Sequence, residues 1–316
     1  MNIFPQSRVE PLISYYGGKQ GLVDFLVPLF PAHRTFVDVF GGSGAVLLST
    51  APAAVEVYND IDPGVVNLHR VAQDPTLMEK LRQALLLTPN SRREHALCKR
   101  ESPSADLVEM ARRYVVLIRQ SYSSLFAKSW GYSRTTPGNH FYAAAERMQA
   151  VSLRLRNVQI ENRHFRDLFP RYDAPGTLWY LDPPYLQETR EDPNCYNHEM
   201  TRADHEELLH LIGRLQGMVV LSGYASKLYD STLVGWDRVE KIVKCHSSPT
   251  CRIKHLDKPE RTEVVWRNPQ CASAQQRGNN TSAVVPKVEP AVEMIVKPTT
   301  EPTAPRIEYQ ANIERQ

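Results

Sequence analysis

An acidic residue, two prolines and a tyrosine form the segment of this chain with the clearest chemical potential. Asp182, Pro183, Pro184 and Tyr185 come directly after the apolar residues 178–181. A carboxylate accepts hydrogen bonds from an amino group, and a proline offers its carbonyl without a backbone donor. An aromatic ring stacks against a base that has left its helix. The segment favours methylation of an amino group on a flat heterocycle, although the four residues alone also fit a strand that ends in a proline turn.

The amino nitrogen of adenine or cytosine is a weak nucleophile because its lone pair is delocalised into the ring. We expect Asp182 to accept one hydrogen of this amine and the Pro183 carbonyl to accept the other, in a rigid and preorganised segment. The expected reaction is a direct in-line attack of a flipped-out base on the methyl donor. No cysteine directly follows a proline in the chain, which argues against C5-cytosine methylation because that reaction depends on a cysteine nucleophile.

A glycine-rich segment near the N-terminus predicts a binding site for the donor. Residues 36–48 read as a strand, a glycine turn and the start of a helix, and residues 15–19 spell Tyr-Tyr-Gly-Gly-Lys. Glycines let the backbone approach a ligand closely, and the amides at a helix start point toward it. The glycine spacing differs from the G-x-G-x-x-G pattern of NAD enzymes. A second strand over residues 54–58 leads to Asp60, at a position where an acidic residue typically binds ribose hydroxyls.

The segments YYGGK, FGGSG, NDI and DPPY follow one another in an order that resembles the Dam-type N6-adenine DNA methyltransferases, and the resemblance covers residues 11–269. It implies an α/β fold, with a Rossmann-like methyltransferase sheet flanked by helices and a mostly helical DNA-recognition subdomain inserted. It implies S-adenosylmethionine as the methyl donor and adenine N6 in double-stranded DNA as the acceptor. By position, it implies a catalytic role for Asp182, Pro183 and Tyr185. It also implies cofactor contacts from Tyr15, Lys19, Phe40, Gly42, Gly44, Asp60 and Phe165.

Two departures from the family pattern leave other functions open. His164 stands where similar enzymes often carry an acid near the adenine pocket, and Gly223 stands where many relatives have asparagine. The alternatives are N4-cytosine methylation in DNA, adenine methylation in RNA, and a catalytically silent DNA-binding relative. Cytosine N4 uses the same amine chemistry, and an unpaired RNA base would meet the same pocket.

Length and composition fit one α/β core with a subdomain. The chain has 316 residues, of which 42% are hydrophobic. Residues 1–62 and 158–269 are expected to form the catalytic domain that binds S-adenosylmethionine, because short β-rich runs alternate there with helical ones. Residues 63–157 have a helical pattern and are expected to form the target-recognition subdomain. Residues 270–316, with one aromatic residue and five prolines from 271 onward, are expected to form a disordered tail.

The inserted subdomain carries the residues that are expected to contact DNA. Between residues 92 and 134, nine Lys or Arg stand against four Asp or Glu, and aromatic residues lie among them. Cations bind phosphates, while arginine pairs well with guanine and glutamine with adenine. The predicted DNA contacts are Arg119, Gln120, Tyr122, Lys128 and Arg134.

The cysteines and the hydropathy of the chain indicate its cellular location and argue against metal and membrane binding. The five cysteines are odd in number and form no C-x-x-C pair, which favours a reducing, cytoplasmic location over a disulfide scaffold. The residues Cys245, His246, Cys251 and His255 do not have the spacing of a usual zinc site, so no metal is expected. The sequence shows neither a signal peptide nor an apolar stretch long enough to span a membrane, so no membrane association is expected. No obligate protein partner is evident, so a monomer is expected.

Local signals also predict two elements in the C-terminal half. Thr201 and Asp204 have the spacing of a capping box at the start of a helix. His205 would then lie in the first turn, where a solvated or capping histidine is the expected role. Strands near residues 236–245 and 262–267 are expected to form a hairpin.

Overall fold

A seven-stranded sheet runs through the centre of the protein. The computed structural model describes residues 8–100, 104–122, 126–132, 141–190, 198–244 and 260–282. The strands are β1 (Thr35–Asp38), β2 (Val55–Asn59), β3 (Gln159–Glu161), β4 (Thr177–Leu181), β5 (Met218–Gly223), β6 (Asp237–Lys244) and β7 (Glu260–Arg267). Their order across the sheet is β3-β2-β1-β4-β5-β7-β6. The neighbouring strands β3-β2-β1-β4-β5 pair in parallel, whereas β7 is antiparallel to both β5 and β6. The predicted Rossmann-like α/β fold and the predicted hairpin are both confirmed.

The register of the parallel strands brings the predicted motifs to one edge of the sheet. Asp38 at the end of β1 pairs with Tyr58 of β2 on one side and with Tyr180 of β4 on the other. Strand β4 is buried along its whole length, as its continuous apolar run predicts for a parallel strand covered on both faces. Because the carboxyl ends of these three strands are level, the loops that follow them meet at one place.

The helices begin where the sequence offers caps. The side chains of Asp62, Asp74 and Asp106 each accept hydrogen bonds from the first backbone amides of the helix that follows. The predicted capping box of Thr201 and Asp204 is present. The helices are α1 (Val23–Leu26), α2 (Ala45–Ser49), α3 (Pro63–Gln73), α4 (Pro75–Leu86), α5 (Arg92–Arg100), α6 (Leu107–Arg119), α7 (Tyr142–Leu155), α8 (Phe165–Tyr172), α9 (Arg202–Ile212), α10 (Lys227–Thr232) and α11 (Pro269–Ser282).

Two apolar cores cover the two faces of the sheet. Helices α3, α4, α6 and α7 contact one another and form the body of the insert between β2 and β3. Their buried residues join Phe36 and Tyr180 in one core, whereas Trp179 and Trp266 belong to the other. Consecutive strand residues point to opposite faces, so adjacent Trp179 and Tyr180 divide between the two cores. The insert is therefore packed on the same sheet that carries the motif loops.

Helix α11 occupies part of the segment in which composition predicts a disordered tail. Asn268 fixes its start, because its side-chain oxygen accepts from the amides of Val219 and Cys271 at 2.9 Å each. Cys271 is fully buried, and Ala274 packs against the core. The predicted tail boundary at residue 270 is therefore too early, since averaging the composition over the whole tail hides this short capped and partly apolar stretch. Residues 283–316 lie outside the described residues. In the part of the chain that the structure describes, no helix is both long and apolar enough to cross a membrane.

Candidate active site

A cavity of about 250 Å³ opens at the carboxyl ends of β1, β2 and β4. Loops from distant parts of the sequence meet there, as the sheet register requires. Of the predicted site residues, its walls include Tyr15, Lys19, Phe40, Gly42, Asp60, Phe165 and Asp182. Its walls also include residues that sequence reasoning did not assign to the site, among them Asp38, Asn59, Tyr180 and Glu199.

The glycine turn after β1 depends on close backbone packing. The amide of Gly41 donates to the Asn59 carbonyl at 2.8 Å, and a Cβ at Gly41 would lie 2.2 Å from the Tyr58 ring. Gly42 and Gly44 have φ angles of +48° and +71°, which side-chain-bearing residues rarely adopt. Gly44 caps α2 and does not itself line the cavity. The turn therefore admits only glycine at these three positions.

Asp60 is hydrogen-bonded to the glycine turn. One carboxylate oxygen accepts from the Gly42 amide and the other from the Asp62 amide, both at 2.8 Å. Burial raises the pKa of Asp60 to about 6, although the two backbone hydrogen bonds oppose this shift. Each carboxylate oxygen can accept a second hydrogen bond. Asp60 is thus rigidly placed in the cavity wall and is able to accept donors from a ligand when ionised.

Asp38 is a buried acid that the motif comparison left without a role. It is 1% exposed, and its Oδ1 atom has no hydrogen-bond partner among the described residues. Burial raises the pKa of Asp38 well above its usual value, and the negative charges of Asp182 and Asp60 raise it further. The unsatisfied Oδ1 atom of this cavity-lining acid favours a cationic ligand, because such a charge would compensate the desolvation of the carboxyl group. Its position at the end of β1 was the signal that could have identified it.

Asp182 is fixed through one of its two oxygens. Lys19 Nζ lies 2.7 Å from Oδ1 of Asp182, and the Ser222 hydroxyl donates to the same oxygen at 3.1 Å. Burial alone would lower the pKa of Lys19, but Asp182 and Glu263 raise it above its usual value. Although Lys19 lines the cavity, its ammonium group pairs with the predicted catalytic acid. Lys19 therefore holds Asp182 in place, in addition to its predicted contact with the cofactor.

Tyr185 does not present its ring to the cavity. It is 7% exposed, its hydroxyl donates to Glu263, and the Lys19 ammonium lies 4.8 Å from the ring centroid. The Tyr224 ring packs against it in a T-shaped arrangement, with 4.6 Å between the ring centroids. The predicted stacking of a base on Tyr185 is not supported, because the hydroxyl is anchored in the interior. Pro183 is likewise buried, whereas Pro184 lines the cavity.

Both residues that depart from the family pattern lie close to the candidate site. His164 lines the cavity and caps α8, where its Nδ1 atom accepts from the Arg166 amide at 3.4 Å. Burial lowers the pKa of His164, and the Arg166 charge lowers it further. Gly223 is the last residue of β5, and a Cβ there would lie 3.4 Å from the Trp266 ring. Next to it, Ser222 supports Asp182, so the loop after β4 has a hydrogen-bonding partner without an asparagine at position 223.

Arg119 and Gln120 lie inside the insert. The Arg119 guanidinium donates to the Leu12 carbonyl at 3.1 Å, and burial, followed by the charge of Arg147, lowers the pKa of Arg119 to about 10. Gln120 is 1% exposed and donates to the Pro89 carbonyl at 3.0 Å. The predicted contact of these two side chains with base edges is not supported, since both stabilise the interior.

A short hairpin after α6 carries the exposed residues. The Tyr122 amide donates to the Ser129 carbonyl at 2.7 Å, and Tyr122 is 42% exposed. Lys128 is also exposed, whereas Arg134 lies outside the described residues. The Trp130 ring stacks with Tyr132 at 6.1 Å and has the Arg92 guanidinium 4.7 Å from its centroid. We name this region the hairpin surface; it comprises Arg92, Tyr122, Lys128, Trp130 and Tyr132.

No group of three or more His, Cys, Asp or Glu side chains in the described ranges could hold a metal ion. The Cys245 to His255 cluster lies in a part of the chain outside those ranges.

Comparison with known families gives a match over most of the chain. Residues 15–244, which are 230 of the 316 residues, match the sequence model of the D12 class N6 adenine-specific DNA methyltransferases. The match contains the cavity loops after β1, β2 and β4 and the whole insert.

Proposed function

We propose that this chain, which belongs to the D12 class of N6 adenine-specific DNA methyltransferases, uses S-adenosylmethionine as its donor and binds the adenine amine through Asp182. As a member of this family it is an enzyme that methylates adenine at N6 in DNA, rather than cytosine at N4 or adenine in RNA. One observation carries the proposed mechanism. The glycine turn, Asp38, Asp60 and Asp182 line a single cavity, so a donor site and an acceptor acid lie side by side.

The residues of the cavity fit this donor. S-adenosylmethionine supplies an electrophilic methyl group on a positively charged sulfonium. The unsatisfied Oδ1 atom of Asp38 and the ionised form of Asp60 favour a cation in the cavity. Asp60 is placed to accept ribose hydroxyls, as acids at this position typically do. The aromatic rings of Tyr15, Phe40 and Phe165 give the walls an apolar surface for a flat heterocycle.

Asp182 is the residue that prepares the nucleophile. By accepting a hydrogen bond from the adenine amine, it draws the nitrogen lone pair out of conjugation with the ring. The Lys19 ammonium lies 2.7 Å from Oδ1 and holds the carboxyl group in place for this acceptor role. The carbonyl of Pro183 is the proposed acceptor for the second hydrogen of the amine. Enclosure of this acid within the cavity strengthens its interaction with the amine, because less water competes for it.

The hairpin surface is the proposed DNA contact. An enzyme that acts on a duplex base must move it out of the stack and pay the unstacking energy through other contacts. Exposed Tyr122 and Tyr132 offer rings for stacking or packing against the duplex, and Lys128 offers a phosphate contact. We propose that the enzyme acts as a monomer, which light scattering of the purified protein in solution would test.

The decisive experiment compares the wild type with Asp182→Ala and with Asp230→Ala, which replaces an exposed aspartate as a control. Transfer of a labelled methyl group to duplex DNA and calorimetric binding of S-adenosylhomocysteine are measured for each purified protein. We expect Asp182→Ala to lose transfer and to keep its affinity for S-adenosylhomocysteine, while Asp230→Ala keeps both. Modification-sensitive sequencing of DNA from cells that express each variant identifies the methylated base and the target sequence. Undiminished transfer by Asp182→Ala would show that the assignment of Asp182 is wrong.

A further inference from the structure

Glu263 is a buried acid beside the proposed catalytic centre, and it lies beyond the residues matched by the family. It belongs to β7, is 3% exposed, and does not line the cavity. Its Oε1 atom lies 3.6 Å from Lys19 Nζ and accepts a hydrogen bond from the Tyr185 hydroxyl. The side chain therefore contacts one residue of the YYGGK motif and one of the DPPY motif without lining the cavity.

The position of this acid has an energetic cost. A buried carboxylate is unfavourable unless it is paired and hydrogen-bonded. Burial raises the pKa of Glu263 above its usual value, while the Lys19 charge opposes that shift. The same ammonium group pairs with Asp182, which is 14% exposed. One buried cation is thus shared by two acids, of which only Asp182 borders the cavity.

The sharing has a geometric consequence for Asp182. Lys19 and Ser222 both contact its Oδ1 atom. Among the described residues, no donor is found on Oδ2, so this is the oxygen available to a substrate amine. Lys19 itself is held by Glu263 and by the Gly17 carbonyl, which accepts from Nζ at 3.0 Å. The orientation of the catalytic carboxylate therefore depends on where Glu263 holds the ammonium.

The sharing also has an electrostatic consequence. With both acids ionised, the group formed by Asp182, Glu263 and Lys19 has two negative charges and one positive charge. The adenine amine acquires positive charge as it accepts the methyl group. A fixed net negative charge beside the amine stabilises that transition state, because the charges are oriented before the reaction begins.

We propose that Glu263 is a positioning residue for methyl transfer: by fixing Lys19 and Tyr185, it orients Oδ2 of Asp182 toward the adenine amine. The inference rests on the proposed role of Asp182. A purely structural role for Glu263 is the competing explanation, because a buried ion pair also affects folding. The two explanations differ in what they predict for turnover at equal folding and equal ligand affinity.

The test uses Glu263→Gln, which keeps the shape of the side chain and removes its charge. Glu260→Gln, at an exposed position on the same strand, is the matched control. For each full-length protein we would measure kcat and KM for duplex DNA, the affinity for S-adenosylhomocysteine, the thermal unfolding midpoint and the dependence of kcat on pH. Glu263→Asp, which keeps the charge on a shorter side chain, is included as the conservative variant.

We expect Glu263→Gln to lower kcat by about 100-fold, the effect of a small displacement of a catalytic group, with KM and S-adenosylhomocysteine affinity unchanged. Because the pKa of Glu263 is raised, the wild-type rate should fall with decreasing pH as this acid becomes protonated, and the Gln variant should lack that decrease. Glu263→Asp should recover part of the rate.

An unchanged kcat, or a lower kcat with an unaltered pH profile, would overturn the inference. If Glu263→Gln does not fold, a rate of Glu263→Asp equal to that of the wild type, with the same pH profile, would overturn it. Wild-type protein that transfers no methyl group to DNA would instead contradict the proposed function.

Discussion

The guanidinium of Arg154 forms two hydrogen bonds of 2.6 Å with the carboxylate of Glu56, and both side chains are at least nine-tenths buried. Arg154 also donates to the carbonyls of Leu47 and Thr50 at 2.8 and 3.2 Å. Arg154 belongs to α7 of the insert, Glu56 to the central sheet, and Leu47 to α2 after the glycine turn. This ion pair therefore connects the insert to both the sheet and helix α2, which follows the glycine turn.

Removing one partner of this pair should strongly destabilise the protein. We expect Arg154→Met to lower the free energy of unfolding by about 3–5 kcal/mol, because Glu56 would remain as an uncompensated buried charge. Chemical denaturation would measure the loss. The double variant Glu56→Leu with Arg154→Met should be more stable than Arg154→Met alone, since no buried charge remains. Arg156→Met, at an exposed position one residue beyond α7, is the control and should change stability little. A single variant as stable as the wild type would contradict the prediction.

Replacing Gly41 should disrupt donor binding. A Cβ at this position would lie 2.2 Å from the Tyr58 ring, which cannot move freely because it stacks on His69 at 4.3 Å. The glycine turn would have to shift, and displacement of about 1 Å in an active site lowers turnover about 100-fold. We expect Gly41→Ala to lose affinity for S-adenosylhomocysteine and most methyl transfer. Gly21→Ala is a suitable control, since a Cβ there meets no atom within 4 Å. Equal binding by the two variants would show that donor binding does not depend on the close packing of the glycine turn.

Donor binding should weaken as the solution becomes acidic. The pKa of Asp60 is raised to about 6, chiefly by burial, so the carboxylate is ionised above this pH and protonated below it. A ligand that needs the ionised acid loses affinity by about tenfold per pH unit below that pKa. Because the pKa of Asp60 is raised in the folded state, protonation of Asp60 stabilises the folded protein. Weaker donor binding at low pH would therefore not result from unfolding caused by protonation of this acid.

Calorimetry with S-adenosylhomocysteine from about pH 7.5 to about pH 5 would test this dependence. Asp60→Asn cannot ionise, and it should bind more weakly with no change over the same range. A wild-type affinity that is constant down to the lower pH would show that ionised Asp60 does not contact the ligand.

Local patterns were sufficient to predict much of the fold. The apolar run before Asp182 predicts β4, and the spacing of Thr201 and Asp204 predicts the start of α9. Residues whose environment depends on distant segments could not be placed in this way. His205 is fully buried and contacts the Tyr229 hydroxyl at 2.9 Å, although its position in a first helical turn favours a solvated or capping role. Glu263 contacts Lys19 across 244 residues of sequence, and no local pattern records that contact.

The same difference applies to the predicted DNA contacts. Residue type indicated Arg119 and Gln120 as readers of bases, but their partners are the carbonyls of Leu12 and Pro89. Those partners come from the N-terminal segment and from the loop after α4. Only packing of the insert reveals that Gln120, after the end of α6, is buried and that Tyr122 and Lys128 beyond it are exposed.

Charge removal on the hairpin surface should weaken DNA binding without altering the fold. Lys128 is exposed, and a lysine that contacts a phosphate releases about one counterion when DNA binds. We expect Lys128→Gln to lower the affinity for duplex DNA for all sequences alike. It should also reduce the slope of log K against log salt concentration by about 1. Fluorescence anisotropy over a series of salt concentrations would measure both quantities.

Gln120→Ala provides the contrast, because Gln120 is 1% exposed and its amide donates to the Pro89 carbonyl. Removing that hydrogen bond should lower the free energy of unfolding by about 1 kcal/mol and leave the salt slope of DNA binding unchanged. If Gln120→Ala instead altered the preferred target sequence at unchanged stability, Gln120 would have to contact a base in the complex. That outcome would require the end of α6 to open when DNA binds, since its side chain is enclosed within the insert.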